Sequence, residues 1–149
     1  FGAFVAGPAL AIEYLVNACR SFVFTTALPP AAVGAALAAL ELIEREPQLV
    51  DRLRANAERL RAGLRLLGAD TLGSQSQIIP LLVGESALAL EAAQALCEAG
   101  VYAVAIRPPT VPPGAARIRA SVMAGHSPAD LDFALAAFDE VGRRFNLFR

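Results

Sequence analysis

Tyr102-Ala103-Val104-Ala105-Ile106-Arg107-Pro108-Pro109-Thr110-Val111-Pro112-Pro113-Gly114-Ala115-Ala116-Arg117-Ile118-Arg119-Ala120-Ser121-Val122 has the pattern of two strands joined by a proline-rich loop. Tyr102, Val104 and Ile106 alternate with Ala103 and Ala105, which is the period of a strand. Arg107 to Gly114 reads as a stiff loop, because proline fixes φ and carries no N–H. Ala116 to Val122 is a second strand, with Arg117 and Arg119 on one face and Ile118 and Ala120 on the other.

On the C-terminal side, Ser127-Pro128-Ala129-Asp130 has the form of a capping box. The helix it opens turns Leu131, Leu135, Phe138, Val141 and Phe145 inward. On the N-terminal side, Ser86 is placed to cap a helix ending at Gly100. Before it, Ser76 to Val83 reads as a strand whose Pro80 suggests an edge or a bulge. Leu49, Leu53, Ala57, Leu60, Leu64 and Leu67 recur at steps of three and four and predict a helix that Gly68 stops. Arg52, Glu58 and Arg59 fall off that stripe and are expected in solvent.

From Leu49 the order is therefore helix, strand, helix, strand, strand, helix. That order predicts an α+β domain over 45–149: a small, largely antiparallel sheet with helices on one side. Residues 1–44 complete no unit of their own. Gly2 to Gly7 reads as an apolar strand, Pro8 to Arg20 as a helix with Ile12, Leu15 and Val16 as its stripe, and Ser21 to Pro30 as an extended segment. The alanine-rich run Ala31 to Glu46 reads as a helix that Pro47 interrupts. Such a start, in the middle of a strand, is expected of the remnant of a larger domain and hence of a fragment.

Composition narrows the function. The chain has 149 residues, 56% of them hydrophobic and 18% charged, with net charge −1. No basic field exists to draw nucleic acid or an anionic membrane. The mean hydropathy of +0.50 implies a large buried fraction or a surface that other polypeptide covers. The uncharged stretch Ser21 to Leu40 is interrupted by Thr25, Thr26, Pro29 and Pro30, so it does not read as a membrane span. Cys19, Cys97 and His126 stand apart, which argues against a metal site and fits a reducing, cytoplasmic setting. All 13 basic residues are arginine; the chain has no lysine.

Three features could carry chemistry. Arg117 and Arg119 on one strand face could grip a carboxylate bidentately, or be solvated arginines on the outside of a sheet. Thr25 and Thr26, just before a helix, could bind a phosphate, or bond local backbone in a turn. His126, with no nucleophile or acid arranged around it, reads as structural; Asp130 and Asp132 read as helix-start residues.

In this order, Gly2-Ala3-Phe4-Val5-Ala6-Gly7, Phe24-Thr25-Thr26-Ala27-Leu28-Pro29-Pro30, Ser76-Gln77-Ile78-Ile79-Pro80, Ala105 to Pro112 and Ala116-Arg117-Ile118-Arg119 resemble the α-oxoamine synthases. The likeness runs the length of the chain. It implies the fold type I architecture of pyridoxal 5'-phosphate (PLP) enzymes, with residues 45–149 as the C-terminal small domain. It also implies a homodimer with shared active sites, and condensation of an amino acid with an acyl-CoA, releasing carbon dioxide and CoA. Ile106 to Pro112 is most similar to the members that join L-alanine to a pimeloyl thioester in biotin biosynthesis. A glycine C-acetyltransferase-like member is the alternative.

By the same resemblance Arg119 grips the amino-acid carboxylate and Thr110 contacts substrate. Arg107 faces the acyl chain or CoA, and Thr25 and Thr26 reach the cofactor phosphate of the partner subunit. The family's Schiff-base lysine would lie upstream of Phe1, so this chain alone is expected to be inactive. The other readings are a lysine-less, non-catalytic partner subunit and an unrelated α+β binding module.

Overall fold

The computed structural model describes residues 3–148. The chain divides into two compact units, Phe1–Glu46 and Pro47–Arg149.

In the first unit, residues 3–8 form no strand; they are exposed and without regular structure, and Gly2 lies outside the described residues. The strand expected there is corrected: a ladder needs a paired neighbour, and among the described residues of the unit there is no second strand. Helix α1 spans Ala9–Ala18, with Pro8 at its N-cap. Cys19 leaves the helical region at ψ 100°, and a single turn, α2, follows over Arg20–Val23. The extended segment expected from Ser21 is therefore helical at its start and irregular only from Phe24 to Pro29. Helix α3, Pro30–Arg45, begins on a proline, whose absent N–H is of no consequence in a first turn. None of the three helices buries a residue.

The second unit has the predicted order. Helix α4 is Gln48–Leu66, β1 is Ile78–Gly84, α5 is Ser86–Glu98, β2 is Val104–Ile106, β3 is Ala116–Ser121 and α6 is Pro128–Phe145. The sheet order is β1-β3-β2, antiparallel throughout. β1 is an edge strand, where Pro80 is tolerated, and its register shifts between Leu82 and Gly84. Gly84 and Gly100 hold φ of 92° and 88°, a region that favours glycine.

The helices cover one face of the sheet. Ile79 and Leu81 of β1 and Ile118 and Ala120 of β3 meet Leu60 and Leu64 of α4, Ala92 and Leu96 of α5, and Leu131, Phe138 and Val141 of α6. Ser127 forms a true capping box with Asp130 at the start of α6. The expected cap at Ser86 is corrected: Glu85 holds the N-cap position without a side-chain bond, and Ser86 is the first helical residue.

Three polar ties were not predicted. Arg59 of α4 binds both carboxylate oxygens of Asp132 on α6, at 2.7 and 2.8 Å. Asp132 is thus an interhelical partner and not simply a helix-start charge. Arg61, with a nearly buried side chain, pairs with Glu58 and donates to the Ser76 carbonyl at 2.6 Å, which fixes the entry to β1. Asn56 donates to the carbonyls of Met123 and His126 at 3.1 and 2.9 Å and ties the β3–α6 turn to α4.

The two units should respond differently to truncation. Phe138→Ala, at a site 2% exposed, is expected to lower unfolding stability in urea by about 3–5 kcal/mol. Phe22→Ala, at a site 61% exposed, is expected to stay within about 0.5 kcal/mol.

Candidate functional site

The pleat of β3 sets the candidate site. Ala116, Ile118 and Ala120 are buried, so Arg117 and Arg119 stand on the face that the helices leave open. Cross-strand register puts Pro80 and Val104 beside Arg119, and Leu82 and Ile106 beside Arg117. The result is two guanidinium groups on an apolar floor. Arg119 is exposed. Arg117 is half-buried, and its Nε–H donates to the Ala115 carbonyl at 3.0 Å. Among the described residues, neither these two nor Arg107 takes part in an ion pair.

Arg119 also stands at a cleft of about 730 Å³, whose walls include Tyr102, Met123 and Phe133 and whose lining includes His126 and Asp130. Tyr102, Met123 and Phe133 are 83%, 59% and 56% exposed, so this cleft is apolar and open. His126 is structural, as expected: its Nδ1 accepts from the Met123 N–H at 3.3 Å while its carbonyl accepts from Asn56. The Asp130 carboxylate accepts from the Ser127 N–H at 2.7 Å and the Ser127 hydroxyl at 2.8 Å. These two bonds, the backbone one first, hold its pKa below the ordinary 3.8; slight desolvation opposes them and the neighbouring His126 adds to them.

Arg107 and Thr110 lie on the loop between β2 and β3 and are exposed. They do not line the cleft beside Arg119. Position 107 is three residues past Val104, the cross-strand neighbour of Arg119, or about 10 Å along a strand. Within the loop the Thr110 N–H donates to the Arg107 carbonyl at 3.0 Å and the Ala115 N–H to the Pro112 carbonyl at 3.1 Å. Thr25 and Thr26 belong to the other unit, between α2 and α3; both are exposed, and the Thr25 hydroxyl donates to the Thr26 carbonyl at 3.3 Å. Among the described residues, no helix is long and apolar enough to cross a membrane.

The family model for class I and II aminotransferases matches residues 1–138. The chain is 50% identical over 148 residues to the 8-amino-7-oxononanoate synthase/2-amino-3-ketobutyrate coenzyme A ligase of Thermus thermophilus, covering 99% of this chain and 38% of that protein. It is 45% identical to the 8-amino-7-oxononanoate synthase of Geobacter sulfurreducens, again over 99% of this chain and 38% of the relative. A solved structure of SPT with PLP internal aldimine superposes with a TM-score of 0.82 at 30% identity, over 94% of this chain and 36% of that one. The chain thus spans under two-fifths of the length of these curated relatives.

The carboxylate at the cleft lining has a readable pH signature. Because folding lowers the pKa of Asp130, its stabilising contribution is complete above the unfolded value near 3.8 and is lost as pH falls through the lower folded value. Asp130→Asn is expected to flatten the stability–pH curve below that value, as measured by urea midpoints from acidic to neutral pH.

Proposed function

The chain belongs to the class I and II aminotransferase family, and on that premise we propose that it is the C-terminal part of an 8-amino-7-oxononanoate synthase. The complete enzyme would condense L-alanine with pimeloyl-CoA, or the carrier-protein thioester, and release carbon dioxide. The observation that carries the reading is Arg119: a guanidinium with no acidic partner among the described residues, carried on a strand and set among apolar neighbours, within a chain 45% identical to a protein of that name. A planar fork on a rigid ribbon suits a carboxylate that must be held in one orientation.

Each remaining candidate has a role in this reading. Thr110 contacts the substrate from the hairpin loop. Arg107, a permanent cation on that loop, faces the acyl chain or the phosphates of CoA. Residues 1–44 are the remnant of the large domain and 45–149 the small domain. PLP, the cofactor, would supply an electron sink for breaking the carboxylate bond and forming the carbon–carbon bond. Residues of this chain fit only part of it. The exposed hydroxyls of Thr25 and Thr26, next to a helix start at Pro30, suit its phosphate across a homodimer interface. The chain has no lysine to bind its aldehyde, so the remainder of a longer polypeptide must provide that amine and this chain alone is inactive. The two free cysteines fit a cytoplasmic enzyme.

The absence of lysine also supports a second reading, a non-catalytic partner subunit. The upstream coding sequence separates the two: a lysine shortly before Phe1 supports the enzyme, and another residue there supports the partner subunit. In the complete enzyme, Arg119→Ala is expected to weaken alanine binding about 30-fold or more, the equivalent of losing roughly 2 kcal/mol from a desolvated charge pair. Alanine titration of the variant reads this directly, and unchanged affinity removes Arg119 from the site.

A further inference from the structure

We propose that Arg117 is the positioning residue of the substrate loop, acting as a strap through its Nε–H rather than through its charge. The inference rests on the reading of Arg107 and Thr110 as substrate contacts and concerns what holds them in place. Pro108, Pro109, Pro112 and Pro113 contribute no backbone donors to residues 107–115. Two backbone bonds remain within the loop, from Thr110 to Arg107 and from Ala115 to Pro112. Among the described residues, one side chain bonds the loop backbone, and it is Arg117, at 3.0 Å from the Ala115 carbonyl. That carbonyl belongs to the last residue before β3, where the loop rejoins the sheet.

The surroundings select the same role. Arg117 has no acidic partner among the described residues, so no ion pair directs it elsewhere. It is half-buried, whereas Arg119 on the same face is exposed. Its cross-strand neighbours, Leu82 and Ile106, offer apolar surface for the aliphatic stem. Arg119 presents its whole fork to a ligand, while Arg117 spends its Nε–H on the ribbon itself.

Two substitutions separate strap from charge. Glutamine carries an amide nitrogen at the chain position of the arginine Nε, without charge; methionine has similar length and no donor. In the full-length enzyme, Arg117→Met is expected to raise KM for pimeloyl-CoA about tenfold with kcat within about twofold. Amide exchange at Ala115 and Thr110 should quicken about tenfold in the same variant, without change in α6. Arg117→Gln should return both quantities to within about twofold of the parent. Equal damage from Gln and Met would show that the charge acts directly and overturn the strap, and so would unchanged exchange in Arg117→Met. If the parent enzyme fails to condense alanine with pimeloyl-CoA, the proposed function fails, while exchange still decides the strap.

Discussion

The alternation of β3 is the constraint on which the rest of the second unit depends. A strand buried on one side under three helices must turn every second residue away from them. Ala116, Ile118 and Ala120 fill the covered side, at exposures of 0%, 1% and 6%. Arg117 and Arg119 have no choice but the open face. A slip of one residue would bury two guanidinium groups without partners and expose Ile118, so the register is enforced strongly. The same burial that stabilises the domain therefore sets which face both guanidinium groups occupy, and the central place of β3 between β1 and β2 fixes the backbone that carries them.

The first unit obeys the opposite condition. Its helices carry Leu10, Tyr14, Phe22, Val23, Val33, Leu37 and Leu40, all exposed, and bury nothing. Apolar surface of this extent is not stable in water as a free face. It fits the reading that these residues are the remnant of a larger domain, whose other parts would supply the opposing surface.

How much of this was legible in the sequence follows from the range of each interaction. Periodicity revealed α4, α6 and β3 because each alone alternates between core and solvent, and the capping box at Ser127 was visible because its two members lie three residues apart. The edge position of β1 could be read from Pro80. The short apolar run at 2–7 gave no such guarantee, since four or five apolar residues make a strand only where a ladder exists to receive them. The tie from Asn56 to the β3–α6 turn and the Arg59–Asp132 pair join residues some seventy positions apart, so nothing local announces them. Arg61 carries no local mark that separates it from the other arginines of α4, yet its helix face and the Ser76 carbonyl draw it inside. The candidate site was legible unevenly: spacing placed Arg117 and Arg119 on one face, but resemblance alone chose between them.

That choice has a physical basis in what each arginine has left to give. A guanidinium recognises a carboxylate best when both of its parallel N–H bonds are available and its stem is held. Arg117 has already committed its Nε–H to Ala115, whereas among the described residues the Arg119 side chain makes no ion pair and opens onto the cleft. Lysine in either place would put a point charge on a flexible stem, which neither straps a loop nor fixes the plane of a ligand. The all-arginine character of the chain is consistent with that demand on β3. The division of labour between the two positions then follows from their neighbours, since the residue nearer the loop is the one the loop can occupy.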